Sequence, residues 1–120
     1  SSTFDTAITN GAIPNSIMFL GTVPGGGASV KFQIASSNCP NAQTNPPTCT
    51  TSGSWDYVGS DGTNTTNYPT SGSAASGTPV EIKAAHHNNK RYFRYKVILN
   101  ATTDQVQTPT VNDIILNWAP

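Results

Sequence analysis

Six carboxylates are scattered along this 120-residue sequence: Asp5, Asp56, Asp61, Glu81, Asp104 and Asp113. Glycoside hydrolysis needs two carboxyls facing one substrate, and no two of these sit at a spacing that marks an acid and a base. The two histidines are adjacent, His86-His87. Neighbouring strand residues point to opposite faces, and no Glu or Cys accompanies the pair, so it reads as a solvated turn rather than a metal site. Asp56, Asp61 and Asn64, close to Gly59 and Gly62, form an oxygen-rich stretch. Its spacing departs from the Asp-x-Asp-x-Asp-Gly calcium loop and reads as an ordinary Asx-type turn. No catalytic, cofactor-binding or metal-ligating residue is assigned, and the expectation is a protein that is not an enzyme.

The two cysteines, Cys39 and Cys49, flank the polar, turn-rich segment Pro-Asn-Ala-Gln-Thr-Asn-Pro-Pro-Thr. Without a CxxC pattern or neighbouring His or Asp ligands they are expected to form a disulfide, worth about 2–3 kcal/mol by loop closure. A disulfide implies an oxidising compartment. The opening Ser-Ser-Thr is read as a mature N-terminus left by a cleaved signal peptide. No apolar run approaches the ~20 residues that span a bilayer. Asn64-Thr65-Thr66 and Asn100-Ala101-Thr102 match the glycosylation sequon, which makes Asn64 and Asn100 acceptor candidates.

Charged residues make up only 10% of the chain and the formal net charge is zero, which argues against nucleic-acid binding. Five of the six basic residues, Lys83, Lys90, Arg91, Arg94 and Lys96, nevertheless crowd into one stretch. Arg94 and Lys96 share a predicted strand face with Tyr92 and Ile98. Charges there can simply protect an edge, but Tyr, Arg and an apolar Ile together also suit a contact surface.

The elements that must carry these residues are strands. Ser, Thr, Asn and Gly supply the polarity, and they favour turns and strand edges over helices. Alternation of period two recurs between turn signals. Residues 3–9 place Phe4, Thr6 and Ile8 on one face before the Asn10-Gly11 turn. Residues 16–22 hold the apolar run Ile17-Met18-Phe19-Leu20, predicted to be a strand buried on both faces. Residues 29–35 alternate Val30, Phe32 and Ile34 with Ser29, Lys31 and Gln33. Residues 54–59 are predicted to turn Trp55 and Tyr57 to one side, as core residues alternate. Residues 67–78 read as a surface loop, and 79–85 as a strand with Val80 and Ile82 inward. In 91–100, Phe93, Tyr95, Val97 and Leu99 alternate with Tyr92, Arg94, Lys96 and Ile98; in 111–118, Ile114, Leu116 and Trp118 share a side. About seven short strands predict one exported all-β domain over 1–120, an antiparallel β-sandwich or open barrel.

Several segments, in this order, resemble the globular β-domains of bacterial type IV pilin-like proteins. They are Phe4-Asp5-Thr6-Ala7, Val30-Lys31-Phe32-Gln33-Ile34-Ala35, Trp55-Asp56-Tyr57-Val58-Gly59-Ser60-Asp61-Gly62-Thr63, Asn88-Asn89-Lys90-Arg91-Tyr92-Phe93-Arg94-Tyr95-Lys96 and the ending Thr108-Pro109-Thr110-Val111-Asn112-Asp113-Ile114-Ile115-Leu116-Asn117-Trp118. The chain is most similar to the globular partner chain of two-chain (split) type IV pilins, the geopilin domain 2 type. The resemblance runs over nearly the whole chain, through strand and turn patterns rather than catalytic signatures. A one-chain pilin begins with a long apolar helix, which this sequence does not show; a split pilin carries that helix on a separate chain. The resemblance therefore implies a cell-surface or extracellular filament subunit with no cofactor, whose partners are a short helical pilin and neighbouring copies. Such a domain must expose apolar surface to the helix. The candidates are Ile13, Ile17, Met18, Phe19, Val23 and the Tyr92, Arg94, Ile98 face, each of which can equally be core or ordinary surface. The alternative is a secreted carbohydrate-binding or adhesive β-sandwich that uses Trp55, Tyr57, Tyr68 or Trp118 as a stacking platform.

Overall fold

The computed structural model describes residues 1–42, 49–83 and 85–120. Among these there are six strands: β1 (Phe4–Asp5), β2 (Ile13–Thr22), β3 (Ser29–Ser37), β4 (Val80–Glu81), β5 (Tyr92–Asn100) and β6 (Thr110–Ala119). They form two three-stranded antiparallel sheets, ordered β1-β5-β3 and β4-β2-β6. The chain is all-β, as its alternation predicts, in a sandwich arrangement.

The β3–β5 ladder runs without interruption from Ser29↔Asn100 to Ser37↔Tyr92. That register puts Val30, Phe32 and Ile34 on one face with Phe93, all essentially closed to solvent. Ile17 and Phe19 of β2 and Ile82 meet them from the other sheet, and the Phe19 and Phe32 rings lie 6.3 Å apart in a tilted arrangement. The sandwich is fixed by this apolar burial, at about 25 cal/mol per Å² removed from water.

Several elements differ from expectation. β2 is buried on one face only: Ile17 and Phe19 are sealed, while Met18 is half-buried and Leu20 is 40% exposed. The other sheet covers one side of β2 and leaves the other side partly open to solvent. The 54–59 segment contributes only one bridge, Val58↔Ile34, and the buried side chain is Val58, not Trp55 or Tyr57. The 67–78 stretch is not wholly surface. Tyr68 and Ala74 belong to the core, because the backbone of Tyr68 exchanges hydrogen bonds with Phe32 at 2.7 and 2.8 Å and so turns the ring inward. The expected strand over 79–85 shortens to β4, and its Ala84 lies outside the described residues; Ile82 does point inward. Cys39 and Cys49 are bridged. Most of the turn-rich stretch between them, 43–48, lies outside the described residues.

Gly11 shows why the first turn needs glycine. Its φ is +83°, and a Cβ would lie 2.2 Å from the Asn89 carbonyl carbon. The close approach lets Ala12 and Lys90 pair across it, Ala12 N–H donating to the Lys90 carbonyl at 2.9 Å.

Candidate binding surfaces

The outer face of the β1-β5-β3 sheet carries Tyr92, Arg94, Lys96 and Ile98, because Phe93 points to the core and strand residues alternate. This matches the sequence reading. Trp55 and Tyr57 were expected among core residues and instead join this outer face. The Arg94 guanidinium sits 4.9 Å from the Trp55 ring centre and the Lys96 ammonium 5.0 Å from that of Tyr57. The β3 residue opposite Arg94 is Ala35, small enough to let Trp55 reach the guanidinium. Each exposed cation–π contact contributes about 0.5–1 kcal/mol. Two polar anchors fix this face. Gln33, almost wholly buried, donates through Nε2 to the carbonyls of Asn64 and Thr66 at 3.0 and 2.9 Å. Arg91 grips Asp5 with both donors, Nε to Oδ1 at 2.8 Å and the terminal nitrogen to Oδ2 at 2.9 Å. The same hydrogen bonds hold the Asp5 carboxyl below its ordinary pKa and raise Arg91.

The polar stretch read as an Asx-type turn is one. Asp61 Oδ1 accepts from the Thr63 amide at 2.9 Å, from the Thr63 hydroxyl at 2.8 Å and from the Thr66 hydroxyl, and these bonds lower its pKa. Asp56 and Asn64 are exposed. Among the described residues there is no group of three or more His, Cys, Asp or Glu arranged to hold a metal ion.

The histidine pair corrects the sequence reading. His86 is exposed, but His87 is buried in a 3-10 turn (Ala85–His87), with its Nδ1 2.8 Å from the Ser36 hydroxyl. Burial, reinforced by the charges of His86 and Lys90, pushes its pKa down to about 3. His87 is therefore a neutral core residue at physiological pH, and the fold offers it neither to solvent nor to a ligand from outside.

The outer face of the β4-β2-β6 sheet has the opposite character. Met18 and Leu20 point away from the core, and Ile115 lies opposite Met18 and shares its side. Leu20 and Ile115 are 40% and 36% exposed, and Ile13 is exposed at the start of β2. Of the remaining interface candidates, Ile17 and Phe19 are core, and Val23 is half-buried against it. Phe4 and Trp118 cross the gap between the sheets edge to face, 4.8 Å apart. Beside them a cleft of about 440 Å³ is lined by residues 1–4, 93–95 and 114–116.

The acceptor candidates differ in setting. Asn64 is exposed, whereas the Asn100 amide nitrogen donates to the Ser29 hydroxyl at 2.8 Å. Among the described residues no helix is long and apolar enough to cross a membrane. Comparison with protein-family models, with curated proteins and with solved structures finds no match.

Proposed function

We propose that this chain is a non-enzymatic structural subunit of an extracellular type IV pilus or pseudopilus. Its β-domain docks without covalent bonds on a separate short helical pilin and forms part of the filament's outer shell beside neighbouring copies. One observation carries this reading: Met18, Leu20 and Ile115 make an uncovered apolar strip on the β4-β2-β6 sheet, over a core that is complete without them. A helix laid on a sheet face is one of the few stable layer packings, and an apolar strip of this kind marks an interaction surface. The ordered segment resemblance to split-pilin β-domains supports the same reading. The Cys39–Cys49 bridge suits the oxidising conditions outside the cell.

The test is co-expression with a short helical pilin. A stable complex is expected, and the double variant Met18→Lys, Leu20→Lys, which sets an ammonium rather than a carboxylate opposite Asp113, abolishes it while leaving the melting temperature of the isolated domain nearly unchanged. A complex that ignores this variant, or no complex with any such helix, removes the reading.

A second reading, a carbohydrate-binding module, draws on Trp55 and Tyr57 lying outside the core beside Arg94 and Lys96. Sugars stack on such rings, and guanidinium and ammonium groups donate hydrogen bonds to hydroxyls and carboxylates. Titration with neutral and acidic oligosaccharides then shifts the tryptophan fluorescence, and Trp55→Ala loses the shift. Fluorescence that stays unmoved by every oligosaccharide rejects this second reading.

A further inference from the structure

Sheet edges expose unpaired backbone donors and acceptors, and folded proteins shorten, cover or charge them. Here β1 and β4 are two residues each. The β3 edge is dressed: Phe32 pairs with Tyr68, Ile34 with Val58, and the Ala74 amide donates to the Val30 carbonyl at 2.8 Å. The flank of β2 away from β6 is dressed as well, by β4, by the Gly77 amide on the Phe19 carbonyl at 2.8 Å and by the Ser76 hydroxyl on the Gly21 amide at 3.0 Å. β6 is the exception. It has ten residues, pairs only with β2, and contains no Pro, Lys or Arg. Among the described residues no other backbone hydrogen bond reaches it.

We propose that the free edge of β6 pairs antiparallel with β6 of a second copy of this chain, about a two-fold axis at Ile115. The complementarity of Asp113 and Asn117 within β6 selects this partner. In the β2–β6 ladder the extra residue between Pro14 and Ser16 lies on β2, at Asn15, and the one near Leu20 and Gly21 lies on β6, at Asn112, so β6 runs regularly from Asp113 to the end of the strand. Within that stretch a two-fold at Ile115 pairs residues 113–117 with themselves, whereas a two-fold at Leu116 sets the Asp113 carboxylate opposite Ala119, which offers it no side-chain donor. Opposite residues of an antiparallel pair share a face. Ile115 meets Ile115 of the second copy on the outer face, and Ile114 meets Leu116 on the core side. Asp113, the one charge on β6, meets Asn117 at both ends, where the amide can donate to the carboxylate. A two-fold at Asp113 sets carboxylate against carboxylate instead, and a one-residue slip sets core-facing side chains opposite outward ones. The pairing joins two three-stranded sheets into one of six, and its isologous contact closes on itself as a dimer. It also brings the Met18, Leu20 and Ile115 strips of both copies together.

Sedimentation velocity on the purified chain tests the proposal. A weak, concentration-dependent dimer is expected. Asn117→Asp places a second carboxylate opposite Asp113 at two symmetric positions and raises the dissociation constant; Asn117→Lys places an ammonium there and lowers it. Each change is about two- to thirtyfold. Asn117 is exposed and its amide donates to the Ser16 hydroxyl at 3.3 Å; both variants lose that donor alike, so the opposite directions of their effects isolate the charge. The native cysteines are bridged to each other, so Ile115→Cys adds a single thiol, and oxidation should link two chains through it. A chain that stays monomeric at the highest concentration reached, or a dimer indifferent to the charge at 117, overturns the proposal. The pilin-docking reading is judged separately, since the Asn117 variants leave Met18, Leu20 and Ile115 untouched.

Discussion

The outer face of the β1-β5-β3 sheet carries its own cover, while the outer face of the β4-β2-β6 sheet carries none. On the first, Trp55 and Tyr57 lie against Arg94 and Lys96, and the 59–68 loop is tied down by Gln33. On the second, Leu20 and Ile115 are 40% and 36% exposed and Met18 is half-buried. The two faces are built from strands of similar length, so length does not distinguish them. The difference lies in the connections. The residues after β3 fold back along their own sheet, and the turn between β5 and β6 does not. A sheet whose connections return to it can satisfy its surroundings alone; one whose connections leave it bare invites another chain.

The contrast breaks most sharply at two neighbouring residues. Phe19→Ala empties a sealed core position and should cost about 3–5 kcal/mol, whereas Leu20→Ala, one residue along on the bare side, should stay within roughly 0.5 kcal/mol. Urea unfolding of both variants measures this, and comparable losses would mean that both faces are covered. Next in size is the acid response of His87, buried beside Ser36 on the core-facing side of β3. His87 has a pKa of about 3 in the fold against an ordinary 6.5, so the unfolded chain binds the extra proton between those values. Stability is full above pH 6.5 and falls as the pH drops, by roughly 1 kcal/mol per pH unit at the steepest; the loss levels off near pH 3, where folded His87 also charges. Asp5, Asp61 and Asp104, all held below their usual 3.8, add a further loss beneath that value. Denaturation curves for His87→Gln should lack the upper slope and keep the lower.

Removing both Cys39 and Cys49 by substitution with Ser should lower stability by about 2–3 kcal/mol, read from thermal unfolding, without altering the bare sheet. The smallest effect is the clearest probe of the cover itself. A double-mutant cycle on Trp55→Ala and Arg94→Ala should return a coupling of about 0.5–1 kcal/mol. A coupling of zero would mean that the aromatic and the guanidinium lie side by side without holding each other.

The strands that alternate cleanly were legible in the sequence. Val30, Phe32 and Ile34 on β3, and Phe93 against Tyr92, Arg94 and Lys96 on β5, fell on the faces their period assigns. Period two fixes that two faces exist without saying which is inside, and this is how Trp55 and Tyr57 were misassigned. Size favoured them for the core, yet the smaller Val58 went in, because the cations that hold the aromatics outside lie some forty residues away in sequence. Burial of Tyr68 and His87 was hidden for a related reason: each sits in a polar stretch and is drawn inward by a partner on β3, the Phe32 backbone for one and the Ser36 hydroxyl for the other. The one signal available for Tyr68 was a lone aromatic in an otherwise Ser, Gly and Thr-rich segment. The apolar run at 17–20 named the right strand and gave it one buried face too many, since no local pattern reports whether a second layer exists.

Gln33 carries a consequence of its own. Its side-chain nitrogen serves two carbonyls at once, so between the backbone bridges at Val58 and Tyr68 its hold on the 59–68 loop passes through a single atom. Exchanging that nitrogen for oxygen, Gln33→Glu, keeps the shape and reverses both interactions, turning two attractions into two repulsions in a site nearly closed to water. The loop should then lift as one piece, with faster amide hydrogen exchange at Tyr68 and Val58 and little change at Phe19, on the far side of the sandwich.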